Sequence, residues 1–135
     1  MNSLDSLTLL GDSKATEPTE LLESFPRPDH VFTVTMTSDE VTALCPKTGQ
    51  PDQYTVKIFY RPDKACIESK SLKLKLQSYR NKGLFVEQLA AELVQHVYES
   101  VQPFIASVTV VQKSRGGVSI EVLADLLRPS QWQGV

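Results

Sequence analysis

A chain of 135 residues and 15.0 kDa suits one domain near the modal size and leaves no room for a second independent core. With 41% hydrophobic and 22% charged residues it falls outside the disordered and low-complexity classes, and 14 Lys+Arg against 16 Asp+Glu is too balanced for a protein that neutralises the phosphates of duplex DNA. No apolar run approaches the roughly 20 residues of a membrane span, and residues 1–10 lack the basic start and apolar stretch of a signal peptide, so a cytoplasmic protein that binds no nucleic acid directly and no membrane is expected.

Residues 1–30 carry Ser, Thr, Asp, Glu and three prolines, Pro18, Pro26 and Pro28, as expected of an arm that gains order by lying on something, with Leu21, Leu22 and Phe25 as anchors. The domain proper is expected over 31–123, with a tail over 124–135. Phe32, Val34 and Met36 alternate with Thr33 and Thr35, which predicts a strand over 31–37. A long loop over 38–52 follows, whose Pro46, Gly49 and Pro51 fix a tight path around Cys45. Residues 53–60 alternate again as a second strand.

In residues 65–80, Leu72, Leu74 and Leu76 recur at every second place as in a strand, but no turn separates them from Ser78 and Tyr79, and a helix is preferred. Asn81, Lys82 and Gly83 break it. Val86, Leu89, Ala90, Leu93, Val97 and Val101 then recur at helical spacing over 84–102. Past Pro103, Phe104, Ala106, Val108 and Val110 alternate, and Arg115-Gly116-Gly117 turns the chain into Val118, Ile120 and Val122, a closing hairpin. The order strand, strand, helix, helix, strand, strand predicts an α+β fold with both helices on one face of an antiparallel sheet.

Cys45, with Lys47 and Asp52 in the same loop, is a candidate nucleophile, since nearby positive charge favours the thiolate. A lone cysteine is more often a small buried hydrophobe, and Cys66 is read that way. Two cysteines without a paired histidine make no metal site. Gly116-Gly117 enters a strand and so is no dinucleotide fingerprint. The basic run Lys70, Lys73, Lys75, Arg80 and Lys82 is either a solvated face or a phosphate contact. An exposed Glu92–His96 pair explains His96 without a site.

At five places in order the chain resembles the unimodular NADPH-dependent 7-cyano-7-deazaguanine reductases, the nitrile reductases of queuosine biosynthesis. They are residues 22–26 (Leu-Glu-Ser-Phe-Pro), 44–52 (Leu-Cys-Pro-Lys-Thr-Gly-Gln-Pro-Asp), 68–74 (Glu-Ser-Lys-Ser-Leu-Lys-Leu), 78–81 (Ser-Tyr-Arg-Asn) and 115–120 (Arg-Gly-Gly-Val-Ser-Ile). The resemblance implies a tunnelling fold whose subunits join into rings that stack as a homo-oligomer. It implies that Cys45 attacks the nitrile carbon to give a thioimide, that Asp52 supplies protons, and that two hydrides from two NADPH molecules yield the amine used in tRNA modification. Glu87, Glu68 and Ser69 would then bind substrate, and Lys70, Ser71, Lys73, Arg80, Arg115 and Gly116 the cofactor. Two places depart from the family. Val86 replaces a histidine, so that Val86→His is expected to raise turnover, and Lys75 replaces an aromatic residue and could add a phosphate contact. The alternatives are a related enzyme that passes the thioimide to ammonia or water, and a non-catalytic ring protein that binds deazaguanines.

Overall fold

A computed structural model describes residues 22–129. Leu21, one of the expected arm anchors, lies outside them. The elements run β1 (Ser24–Pro26), β2 (Val34–Leu44), β3 (Pro51–Arg61), β4 (Ala65–Ile67), α1 (Ser69–Gln77), α2 (Val86–Val101), β5 (Ile105–Arg115) and β6 (Val118–Leu127). A four-stranded antiparallel sheet has the order β2-β3-β5-β6, and β1 pairs with β4 as a separate two-stranded ribbon. The α+β order read from the sequence is present, with both short strands added to it.

Alternation builds the sheet. Asp52, Tyr54, Val56, Ile58 and Tyr60 of β3 are buried, as are Ala106, Val108 and Val110 of β5, and α2 lies across this inner face with Leu89, Leu93 and Val97 at 0% exposure. The β5–β6 hairpin closes on Gly116 (φ 63°) and Gly117 (φ 85°), the paired positive angles that a two-residue hairpin turn requires and glycine adopts without strain.

Three expectations change. The first strand runs on to Leu44, so the loop shrinks to residues 45–50; the polar Ser38, Asp39 and Glu40 lie in β2 beside an irregularity in its register with β3, between Ser38 and Val41. β6 continues through Leu127 because Ala124 and Leu126 still pair with β5 and face the core. The 65–80 segment divides into a strand and a helix, with Glu68 at the junction.

Glu68 explains that division. As N-cap of α1 its carboxylate accepts from the Lys70 N–H (2.7 Å) and the Ser71 N–H (2.8 Å). Ser71, at 0% exposure, donates to the Glu68 carbonyl (2.8 Å) and accepts from the Glu23 N–H (3.0 Å), which ties the segment before β1 to α1. Among the described residues no helix is long and apolar enough to cross a membrane.

Candidate active site at the Cys45 loop

The short loop between β2 and β3 is closed by the backbone of Cys45 itself. Its N–H donates to the Gln50 carbonyl (2.8 Å), and its carbonyl accepts from the Gly49 N–H (2.8 Å), with Gly49 at φ 72°. This turn gathers donors around the sulfur. The Thr48 side chain first, then the Thr48 backbone, the Arg115 guanidinium and the Lys47 backbone hydrogen-bond the thiolate, and together they outweigh burial and lower the Cys45 pKa to about 6. Lys47 therefore acts through its N–H; the positive neighbour anticipated for the thiol is Arg115.

Arg115, the last residue of β5, reaches from the neighbouring strand over β3. Its Nη1 lies 3.1 Å from Asp52 Oδ1 and 3.3 Å from Gln50 Oε1. The bond to Cys45 and the charge of Asp52 in turn raise the pKa of Arg115. The sequence reading gave Arg115 to the cofactor; in the subunit it links Cys45 to Asp52. Asp52 is only 7% exposed, and its buried oxygen is paired with the guanidinium.

The start of α2 is fastened to the same loop. Leu44 donates to the Lys82 carbonyl (2.8 Å) and accepts from the Leu84 N–H (3.1 Å), and Gly83 lies beside Pro46, where a Cβ would make ordinary contact at 3.5 Å from the proline Cα. Glu87, in the exposed first turn of α2, is thereby brought to the Cys45 side of the molecule. Tyr54, which the sequence shows only as an alternating strand residue, feels the charges of Asp52, Arg115, Cys45 and Glu87 together.

Other expected site residues lie elsewhere. Glu68 (3% exposed) and Ser71 are spent on the start of α1, and Gly116 forms the hairpin turn. Ser69 and Lys73 are exposed along α1, where they line a cleft of about 500 Å³ against β2, while Lys70 is half-buried and Arg80 exposed. Lys75 has no exposure at all, and its Nζ sits 5.2 Å from the Tyr79 ring centroid, so it meets no cofactor phosphate from this position. His96 is half-buried with Nδ1 unpartnered, and burial lowers its pKa, unlike the exposed pair anticipated. Val86 is 1% exposed within the main core; an imidazole there would overfill a packed site and bury polar nitrogens, so Val86→His is expected to destabilise the subunit by about 1–3 kcal/mol instead of aiding turnover. Cys66 is buried at 4% exposure, which raises its pKa, in agreement with its inert reading.

A donor-wrapped thiolate beside a carboxylate–guanidinium pair, on an antiparallel sheet with helices across it, fits an enzyme that uses a thiol. Residues 51–131 match the family model described as QueF-like protein. The chain is 44% identical over 128 residues, 93% of its length and 90% of the relative's, to the NADPH-dependent 7-cyano-7-deazaguanine reductase of Syntrophus aciditrophicus (strain SB). It is 40% identical to the reductase of the same name from Alkalilimnicola ehrlichii, over 85% of this chain and 91% of that one. The crystal structure of the archaeosine synthase QueF-Like in the apo form superposes with a TM-score of 0.65 at 29% identity, covering 69% of this chain and 91% of the other. The chain belongs to the QueF-like family, and its fold is the tunnelling fold.

Proposed function

We propose that this chain reduces the nitrile of 7-cyano-7-deazaguanine to the primary amine with NADPH, in the cytoplasmic route to queuosine-modified tRNA, and that Cys45, Asp52 and Glu87 carry the reaction. The observation that supports it most is the Cys45 thiol, whose pKa near 6 leaves it largely ionised at neutral pH without a histidine base. The synthase reading is less favoured, since the reductases match more of the chain at higher identity.

The thiolate attacks the nitrile carbon, a C–S bond forms, and one π pair moves to nitrogen, which takes a proton that the Asp52 carboxylate relays from solvent. The product is a thioimide, a C=N that accepts hydride more readily than a nitrile. Two NADPH molecules would each supply one hydride, the first before the sulfur leaves and the second after it. Arg115 positions Asp52 for each proton delivery, and the donors of Thr48, Lys47 and Arg115 that stabilise the free thiolate also make sulfur a good leaving group when it departs. Lys73 and Arg80 are exposed cations that fit the cofactor phosphates, and the exposed Ser69 hydroxyl is left to the substrate.

Glu87 would accept from the ring N–H and the exocyclic amine through its two oxygens. Glu87→Gln faces one donor with another, and nitrile affinity is expected to fall roughly 30- to 150-fold in a binding titration. Unchanged affinity would leave Glu87 as a helix-start residue only.

The subunit is proposed to work as a homo-oligomer, in rings. Its outer strands β2 and β6 are long, and β6 exposes Val118 (62%), Leu123 (65%) and Leu127 (63%), apolar side chains that a lone subunit would leave in water. Sedimentation at micromolar concentration should give a species well above dimer; a monomer would remove the ring. The overall reading is tested by mixing protein, nitrile and NADPH and following nicotinamide absorbance with amine formation. Absence of both would overturn it.

A further inference from the structure

Tyr54 stands two places beyond Asp52 on β3, so both side chains project from the same face, and it pairs across the sheet with Val41 of β2 and Gln112 of β5. It has no exposure, and its hydroxyl is buried without a hydrogen-bond partner. An unpartnered buried hydroxyl works against folding and calls for an explanation in function. Its surroundings locate it. Burial foremost, then the charges of Asp52, Cys45 and Glu87, push its pKa up to about 12 against the opposing pull of Arg115. The group therefore stays a neutral donor at neutral pH, within electrostatic reach of every charged side chain assigned to the reaction.

The ligand supplies the matching acceptor. In the proposed substrate the nitrile goes to Cys45 and Asp52, while ring N–H and exocyclic amine go to Glu87. Between the nitrile and that ring N–H, along the same edge of the bicyclic base, stands one acceptor, the ring carbonyl oxygen. On the face of β3 that carries Asp52, the Tyr54 hydroxyl is a buried donor still without an acceptor. We propose that the Tyr54 hydroxyl donates a hydrogen bond to the ring carbonyl oxygen of the bound deazaguanine and thereby selects an oxo base over one that lacks the oxygen. The inference rests on the nitrile reading above and adds to it a specificity-determining residue.

Tyr54→Phe keeps the ring that fills the core and removes only the orphaned hydroxyl. Adduct formation at Cys45 is measured by intact mass against two nitriles, the oxo base and its analogue with hydrogen in place of the carbonyl oxygen. The oxo base should react roughly 5- to 30-fold less efficiently with Tyr54→Phe than with wild type, whereas the two proteins should treat the analogue alike. The free variant should melt at or above the wild-type temperature, because an unsatisfied group has gone. Equal reaction of both proteins with the oxo base overturns the inference, as does an equal loss with both nitriles accompanied by a lower melting temperature, the mark of a structural role. Wild type that forms no Cys45 adduct overturns the nitrile reading and this inference together, and so is distinguishable from failure of Tyr54 alone.

Discussion

Cys45→Ala should abolish covalent capture of 7-cyano-7-deazaguanine completely, while Cys66→Ala leaves it intact. Intact-mass measurement without NADPH is the cleanest readout, since the thioimide precedes any hydride step and adds one whole substrate to the chain. The pH dependence sharpens the assignment. A pKa lowered from 9.0 to about 6 means that the thiolate fraction rises as pH passes through 6 and is nearly complete at neutrality, where an ordinary thiol would still be climbing. Capture rate should follow that curve and level off above roughly pH 7. Thr48→Val and Arg115→Ala each remove a donor to the thiolate, so each should move the rise to higher pH, and Lys47→Ala should not, because the backbone N–H survives. An adduct that persists in Cys45→Ala, or a wild-type profile still climbing at pH 9, would end the nucleophile assignment.

These expectations depend on contacts of different legibility. α2 was readable because its apolar residues keep one helical period against one partner; Val86, Leu89, Ala90, Leu93, Val97 and Val101 are all buried. α1 was ambiguous for a physical reason. Leu72 and Leu76 join the main core, whereas Leu74, buried at 3% exposure, lies outside that cluster, so the helix is covered on more than one side and shows no single stripe. A fully buried Lys75 could not be foreseen from residue type, since lysine is almost never buried alone. The site divides in the same way. Cys45 and Asp52 share one loop and its flanking strand, and were visible as neighbours. Arg115 comes from a distant strand, and the position of its guanidinium follows from the pairing of β3 with β5, which spacing does not reveal. Tyr54 hid in plain alternation: a strand pattern marks it as core and says nothing of where its hydroxyl ends. Glu68 and Ser71 show the overlap from the other side, because a motif that carries chemistry in outline also contains the residues that begin a helix.

Asp52→Asn should separate proton delivery from positioning, with a loss of NADPH-dependent turnover of about 10²- to 10⁴-fold, the usual worth of a positioned acid–base group. The amide keeps the shape of the side chain and an oxygen that can still accept from Arg115, so the guanidinium stays near Cys45 and the thiolate should still form. What the amide cannot do is give up a proton as the nitrogen gains electrons. Adduct formation should therefore slow, and turnover should fall further, because protons are needed again after the thioimide has formed. Asp52→Ala adds a second defect by freeing Arg115 from its 3.1 Å partner, and should also shift the pH profile of capture, which Asp52→Asn should leave in place. Stopped-flow capture rates beside steady-state nicotinamide oxidation distinguish the two. If Asp52→Asn turns over at the wild-type rate, the carboxylate serves only to hold Arg115, and the proton must reach nitrogen from water or from another donor in the site.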